Sequence, residues 1–451
     1  MTLLDISIVN VALPTIEAGL DASPTDLQWI LTGYAVAFGL VLVSAGRLGD
    51  ARGRRRVFLI GLTVTVASLM AGLAPAAGWL SGARVVQGIG AGILTPQVAG
   101  FIQALFPREE RGRAFGALGA SIGLSTAAGP LVGGLILDLV GGPDAWRWIF
   151  LVNLPVGVVV AVLALRLLPA DTASGQDPRL DPVGVGLLGA AVVLVLLPLT
   201  IGADGDFAAR PWGLLLAGVV CLIAFVGWEH RFLRRGGAPV IDLSLFAHRS
   251  YSLGAGLAFC YFAGFTAIFF VLTLTLQTGL GYDPLTAGLV ATPFAIGGAL
   301  AAFFGGRLVS RLGRPLVAVG IGVSIIGVLG TALAAHLVPG GALGWAVVLP
   351  QFLAGVGSGL TISPNQTLTL AEVPSAGGGS AAGVVQTGQR IGTAFGIALT
   401  GTVFFGLIGG GTSFPAALSR GMLVVAGFMA LALVIAVVDL TLTRRQRAPA
   451  S

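Results

Sequence analysis

The sequence contains no lysine; all 25 of its basic side chains are arginine. That absence removes several chemistries. A phosphate-binding loop sets a lysine on the nucleotide phosphates, and Schiff-base or pyridoxal chemistry needs a lysine amine. The chain therefore does not hydrolyse ATP in that way, no cofactor is expected, and uphill work must draw on an ion gradient or a partner. Charge of either sign is scarce, at 10% of residues. The two cysteines, Cys221 and Cys260, lie in apolar stretches without disulfide-like spacing and read as buried free thiols. The three histidines, His230, His248 and His336, read as loop residues without metal-ligand spacing, so no metal site is expected. One glycine pattern of dinucleotide type, Gly184-Val185-Gly186-Leu187-Leu188-Gly189, follows no strand and lies inside an apolar run, which discounts it.

What is present is apolar. Hydrophobic residues make up 55% of the chain, and 70 glycines are spread through long hydrophobic runs, the signature of an all-α polytopic membrane protein. A span needs about 20 apolar residues to cross a hydrocarbon layer of ~30 Å. About fourteen such spans fit, which leaves little chain for a globular domain. The net charge of +6 is no nucleic-acid signal, because the arginines gather in short loops beside the spans, as the positive-inside rule requires. Twenty of the 25 fall on one side, among them Arg47, Arg52, Arg54, Arg55 and Arg56, then Arg108, Arg111 and Arg113, and finally Arg444, Arg445 and Arg447. An even number of spans with both termini cytoplasmic follows. Arginine-only usage beside heavy Ala and Gly usage points to a high-GC bacterial genome and hence to a bacterial cytoplasmic membrane.

The spans group as six, two and six: residues 1–168, a central insertion at 169–249, and 250–451. In the insertion, Val240 to Phe246 reads equally well as an amphipathic interfacial helix or as a plain linker. An internal repeat supports the outer grouping. Gly46-Arg47-Leu48-Gly49-Asp50-Ala51-Arg52-Gly53-Arg54 recurs as Gly306-Arg307-Leu308-Val309-Ser310-Arg311-Leu312-Gly313-Arg314. Each copy follows the second span of its group, and Gly88 to Gly92 is echoed by Gly355 to Gly359. Duplicated halves with a site between them are a common transporter construction.

The most informative single residue is Asp5, a carboxylate inside the apolar run from Leu3 to Pro14. Such an acid costs roughly 3 kcal/mol on insertion scales. The next charge, Glu17, lies about 18 Å further on at 1.5 Å per residue, which places Asp5 near mid-membrane as a proton- or cation-linked group. Only four residues precede Asp5 where half a span needs about ten, so the first helix is expected to be truncated.

Five stretches then resemble one family. Gly46 to Phe58 resembles the cytoplasmic signature of the major facilitator superfamily, and Asp5 to Pro14 the first-helix motif of its fourteen-helix drug:proton antiporters. Arg84 to Gly90 is similar to the fourth-helix motif. Ser125 to Gly134, with Gly129-Pro130 and Gly133-Gly134, is similar to the fifth-helix antiporter motif, and Trp146 to Pro155 to the start of the sixth helix. The resemblance implies two six-helix bundles plus two extra central helices.

It also implies roles. Asp50, Arg54 and Arg55 would latch one alternating-access state, with Gly46 and Gly53 turning the backbone between helices; the competing reading is a topogenic basic loop. Ser310 stands where the second copy would carry an acid, so the latch is expected to be asymmetric beside Gly306, Arg307, Gly313 and Arg314. The small-residue face along the fifth helix, with Ser125, Gly129, Pro130, Gly133 and Gly134, marks antiporters in the family, although generic tight packing produces a similar pattern. Arg84 would favour the charged form of a nearby carboxylate, or else snorkel to water.

Sparse polar and aromatic groups inside spans are candidates for a substrate cavity: Asn10, Tyr34, Gln87, Gln97, Tyr261, Phe265, Asn365, Gln386, Gln389 and Arg390. The expected protein is not an enzyme. It is a proton-coupled multidrug efflux transporter of amphiphilic compounds, monomeric in the lipid bilayer, with protons and a small molecule as partners and no nucleic acid. The competing readings are a dedicated exporter of one metabolite or antibiotic, a proton symporter, and a receptor or scaffold that keeps a carrier fold.

Overall fold

The computed structural model describes residues 2–65, 67–170, 181–200, 212–237, 239–338 and 340–447. Arg179, Arg210 and most of the polar stretch after Pro169 lie outside the described residues, as do the side chains of Asn10, Pro130, Arg444, Arg445 and Arg447. The described chain is helical. In order it forms α1 (Thr2–Leu20), α2 (Pro24–Arg52), α3 (Arg54–Thr65), α4 (Ser68–Gly72), α5 (Ala77–Leu105), α6 (Arg108–Val140), α7 (Trp146–Leu151), α8 (Asn153–Leu167) and α9 (Pro182–Thr200). It continues with α10 (Trp212–Arg234), α11 (Arg249–Leu274), α12 (Pro284–Leu312), α13 (Arg314–Leu337), α14 (Leu343–Ala346), α15 (Val348–Thr369), α16 (Gly378–Gly409) and α17 (Phe414–Arg447).

Local sequence sets the helix ends. Ser23 caps α2 by accepting from the Asp26 amide (3.2 Å), while the Asp26 carboxylate accepts from the Ser23 amide (3.0 Å), a reciprocal capping box. Asp283 caps α12 through the Thr286 amide (3.0 Å). Both carboxyls are held below their ordinary range, Asp26 mainly by the Ser23 side chain and Asp283 mainly by that of Thr286. Pro24 and Pro284 each occupy a first helical turn, where the missing amide hydrogen has no intrahelical partner to lose. Single glycines, Gly53 (φ 105°) and Gly313 (φ 60°), turn α2 into α3 and α12 into α13, in a backbone region that other residues avoid.

Among the described residues, 11 helical segments are long and apolar enough to cross a membrane. Three further apolar pieces, Val11–Leu20, Leu131–Val140 and Pro182–Pro198, are shorter, so the expected fourteen is not reached on length. Large exposed apolar side chains such as Leu139, Leu216, Ile223, Leu333 and Leu349 cover the outside, as lipid-facing helices require.

The two largest apolar clusters of the interior lie around Ile8, Val9, Ile16, Trp146 and Phe150 in the first half and around Tyr261, Ile268, Val317, Phe404 and Met422 in the second. The halves meet where α2 packs on α16 and α6 on α12. Helices α9 and α10 pair with each other, and α9 lies against α2 and α16. Three expectations change. Val240 to Phe246 is not an amphipathic α-helix: Val240 and Ile241 are buried, and a 3₁₀ turn spans Leu243–Ala247. His230 and His336 are helical rather than in loops, in α10 and α13. Cys260 is buried, whereas Cys221 is only half-buried.

Candidate functional site: a buried ion pair and a basic-end latch

Asp5 is 5% exposed. Its Oδ2 accepts from Arg84 Nη1 at 2.5 Å and its Oδ1 from Asn153 Nδ2 at 2.9 Å. Arg84, 1% exposed, also donates from Nε to the Ile30 carbonyl (3.2 Å) and from Nη1 to Gln87 Oε1 (3.1 Å). Its guanidinium lies 4.2 Å from the centre of the Tyr34 ring. Gln87 extends the chain to Ser68 Oγ at 2.7 Å. Five helices thus converge on one carboxylate, and Arg84 does not snorkel. Asn153 is placed by a helix break: Pro155 has no amide hydrogen for the Leu151 carbonyl, so α7 ends at Leu151 and α8 starts at Asn153.

Hydrogen-bond partners are present for either charge state of Asp5, but the neutral acid leaves the Arg84 charge unbalanced. With the acid neutral, Arg84 keeps a carbonyl, an amide oxygen and an aromatic face. The Asn153 amide donates to a carboxylate and, rotated by half a turn, accepts from a carboxylic acid.

The repeated loop shows what its glycines do. Gly53 turns the chain, but Gly46 does not: it lies within α2, and a Cβ there would strike the Gly379 carbonyl of α16. One turn on, Asp50, buried at 4% exposure, accepts from Arg54 Nη2 (2.8 Å), from the Gly379 amide (3.2 Å) and from the Ser380 amide (2.8 Å). A carboxylate of one half therefore caps a helix N-terminus of the other, where free amides and the helix dipole favour negative charge. Arg54 also donates to the Ser375 carbonyl. Arg55 donates to the Leu165 carbonyl of its own half (2.6 Å), and the donors to Asp50 are Arg54 and the two amides.

The second copy has the same packing and different chemistry. Gly306 meets Gly112 and Gly116 of α6 backbone to backbone, while Arg307 covers the Phe303 ring (4.2 Å). Arg314 turns into its own half. It pairs through Nε with Asp439 (2.6 Å) and donates to Asn365 Oδ1 (2.8 Å) and to the Ser250 carbonyl (2.8 Å). Ser310 only reaches back to the Arg307 carbonyl (3.2 Å).

Helix α6 divides its small-residue face between partners. Gly112, Gly116, Gly119 and Gly123 face α12 of the other half, whereas Gly133 faces Ile8 of α1 and a Cβ on Gly134 would meet nothing. Ser125 is half-buried and Gly129 buried. The candidate cavity set separates similarly. Gln97 is fully buried and donates to the Ala45 carbonyl (2.8 Å), in the space the absent Gly49 side chain leaves. It ties α5 to α2. Gln87 belongs to the Asp5 network. Asn365, Tyr261 and Gln389 border a cavity of about 10 Å³, room for no more than one water. Tyr261 bonds Ser324 (2.9 Å) and stacks with Phe265 at 6.2 Å. Tyr34, Gln386 and Arg390 remain, with the Tyr34 hydroxyl and Gln386 Oε1 buried without hydrogen-bond partners among the described residues. Asn153, Ser68 and Asp439 were not singled out by sequence reasoning. Asp439 carries the signal that marked Asp5, an acid in an apolar run.

Two helical halves closed on each other at their arginine-rich end, each with a buried ion pair, define a polytopic carrier of the duplicated type. The chain belongs to the major facilitator superfamily: the sequence pattern described as Major Facilitator Superfamily matches residues 1–397 and again 254–450. It is 38% identical over 411 residues to the probable actinorhodin transporter of Streptomyces coelicolor, covering 91% of this chain and 71% of that one. It is 36% identical over 417 residues to the puromycin resistance protein of Streptomyces alboniger, covering 90% and 80%. Among solved structures it superposes on the E. coli fucose:proton symporter with a TM-score of 0.63 at 14% identity, covering 96% and 95% of the two chains, a likeness of fold.

Proposed function

We propose that the protein is a proton-coupled exporter of amphiphilic organic compounds that works by alternating access. In this reading it is a monomer of the bacterial cytoplasmic membrane, with fourteen spans that count the three shorter apolar helices and with both termini cytoplasmic. Residues 1–168 and 250–451 rock against each other, and 169–249 is an insertion. The observation that carries the proposal is Asp5, a buried acid whose partners Arg84 and Asn153 serve both of its charge states. Protonation of Asp5 from outside and loading of cargo from inside alternate; the Asp50 cap on α16 holds the basic end shut while the carrier faces outward. One charge moved through an assumed ~150 mV supplies about 3.5 kcal/mol, enough for a concentration ratio of a few hundred.

The test is Asp5→Asn in everted vesicles. Cargo-dependent proton exchange is expected to be lost, and the potential-driven accumulation ratio of up to a few hundred that one coupled charge supports to fall towards one, while energy-independent counterflow persists. Undiminished coupling would remove the proposal. A dedicated exporter of one compound is the second reading, favoured by relatives whose names carry a single antibiotic each. A broad dye panel separates the two, since only a generalist moves several unrelated dyes.

A further inference from the structure

Arg390 stands twelve residues into α16, about 18 Å from the end that Asp50 caps at 1.5 Å per residue, and so near mid-depth. The other interior arginines in ion pairs have acids as partners: Arg54 with Asp50, Arg84 with Asp5 and Arg314 with Asp439. Arg390 has none. Among the described residues it makes neither ion pair nor hydrogen bond, and its guanidinium rests 4.5 Å over the Phe38 ring. It is half-buried and lies where α16 of one half packs on α2 of the other.

The surroundings are specific. Phe38 stacks on Tyr34 (6.1 Å between centres, 18° between planes), and the Tyr34 ring carries Arg84 at 4.2 Å. Two cations therefore bracket a pair of aromatic rings, and among the described residues the one acid paired with either is Asp5, on Arg84, a surplus of one positive charge at mid-depth. The hydroxyls of Tyr34 and of Thr387, three residues before Arg390 on its helix, are buried without hydrogen-bond partners among the described residues. An uncompensated cation at this depth is costly, and a flat guanidinium fork matches a carboxylate in two parallel hydrogen bonds.

We propose that Arg390 is the docking point for an acidic group on the cargo, so that the transported class is aromatic, amphiphilic anions. The inference rests on the transport reading for its cargo role, whereas binding at Arg390 stands by itself. The anion's rings lie along Phe38 and its acid engages Arg390, with the Tyr34 hydroxyl as a further donor. Cationic amphiphiles are repelled by the same surplus charge. Outward movement of one anion against one inward proton transfers two charges in the same electrical sense, so an imposed potential drives the exchange without a pH gradient.

The probes are fluorescein and rhodamine 123, which share a ring core and differ in the sign of their charge. Binding to the purified protein is read by fluorescence anisotropy, and transport by uptake into everted vesicles. A charge-assisted bidentate contact predicts about tenfold or greater preference for fluorescein. Arg390→Gln removes that preference, weakening fluorescein binding while rhodamine 123 binding, relieved of repulsion, is equal or stronger, and Arg390→Lys, which keeps the charge without the fork, retains a smaller preference for fluorescein than the wild type. Equal wild-type binding of the two probes, or parallel loss of both in Arg390→Gln, overturns the inference. If Arg390→Gln does not fold, the wild-type ratio and Arg390→Lys decide. Selective fluorescein binding without uptake of either probe removes the transport reading and keeps the anion site. Rhodamine 123 uptake without a fluorescein preference does the reverse.

Discussion

Replacing Asp439 by leucine is expected to destabilise the second half by about 3–5 kcal/mol, the usual consequence of removing one partner from a buried ion pair. Asp439 is 3% exposed and joins three helices: α17 carries it, Arg314 of α13 meets it at 2.6 Å, and Arg249 of α11 meets it at 3.4 Å. The two arginines do not suffer equally. Arg249 has a side chain 31% exposed and can turn towards water, whereas that of Arg314 is 9% exposed and stays among apolar neighbours. The Asn365 and Ser250 oxygens still accept from Arg314, but neither carries a charge to balance it. Removing the cation as well, in Arg314→Met with Asp439→Leu, is expected to recover at least half of the loss, because the uncompensated charge rather than the missing contact dominates. The measurement is the temperature at which the monodisperse species is half lost in detergent, for wild type, both single variants and the double. A fully additive cycle, with the double variant as unstable as the two singles combined, would contradict the ion-pair account.

The fold class was legible because a membrane imposes one rule on every segment: apolar runs of a fixed length punctuated by arginines on one side. Asp5 was legible for the same reason, as an acid where lipid penalises it. Its environment was not. Arg84 is 79 positions away, and Asn153, being uncharged, carries no penalty that would draw notice. Asp439 escaped because it is followed closely by Arg444, Arg445 and Arg447 and so reads as part of a helix end. Glycine was ambiguous in another way. Gly46 and Gly53 belong to one motif, yet one permits two helices to touch and the other a positive φ, and only the neighbours across the halves distinguish them. Glutamines told least: Gln87, Gln97 and Gln389 are equally plausible cavity residues by sequence, and the structure places them in an ion-pair network, a helix tie and a cavity wall respectively.

Valine at Gly46 or Gly306 is expected to prevent the basic end from closing. At Gly46 a Cβ would stand 2.7 Å from the Gly379 carbonyl carbon and 2.9 Å from the Ser380 nitrogen, and at Gly306 it would stand 2.7 Å from Gly116 Cα. These are backbone atoms in the middle or first turn of long helices, and they cannot step aside as a side-chain tip can. Overpacking of this sort costs typically about 1–3 kcal/mol. Separating α2 from α16 at position 46 also pulls Asp50, one turn on, away from the Gly379 and Ser380 amides, leaving a buried carboxylate short of two donors at about 1–3 kcal/mol more. A total of about 3 kcal/mol shifts a two-state population by roughly 100-fold, enough to make the arrangement open at the basic end dominant. Spin labels report this directly: cysteines replacing Arg113 on α6 and Ser310 on α12, both exposed, sit on opposite halves close to the Gly112–Gly306 contact, with Cys221 and Cys260 replaced by serine. Wild type is expected to give mainly the short distance and each valine variant mainly a longer one. Gly134→Ala serves as the control, since nothing lies within 4 Å of its Cβ position, and its distance distribution is expected to match the wild type. A short distance retained in both valine variants would show that the halves do not separate at this face, and the rocking of the two bundles about a closed basic end would have to be abandoned.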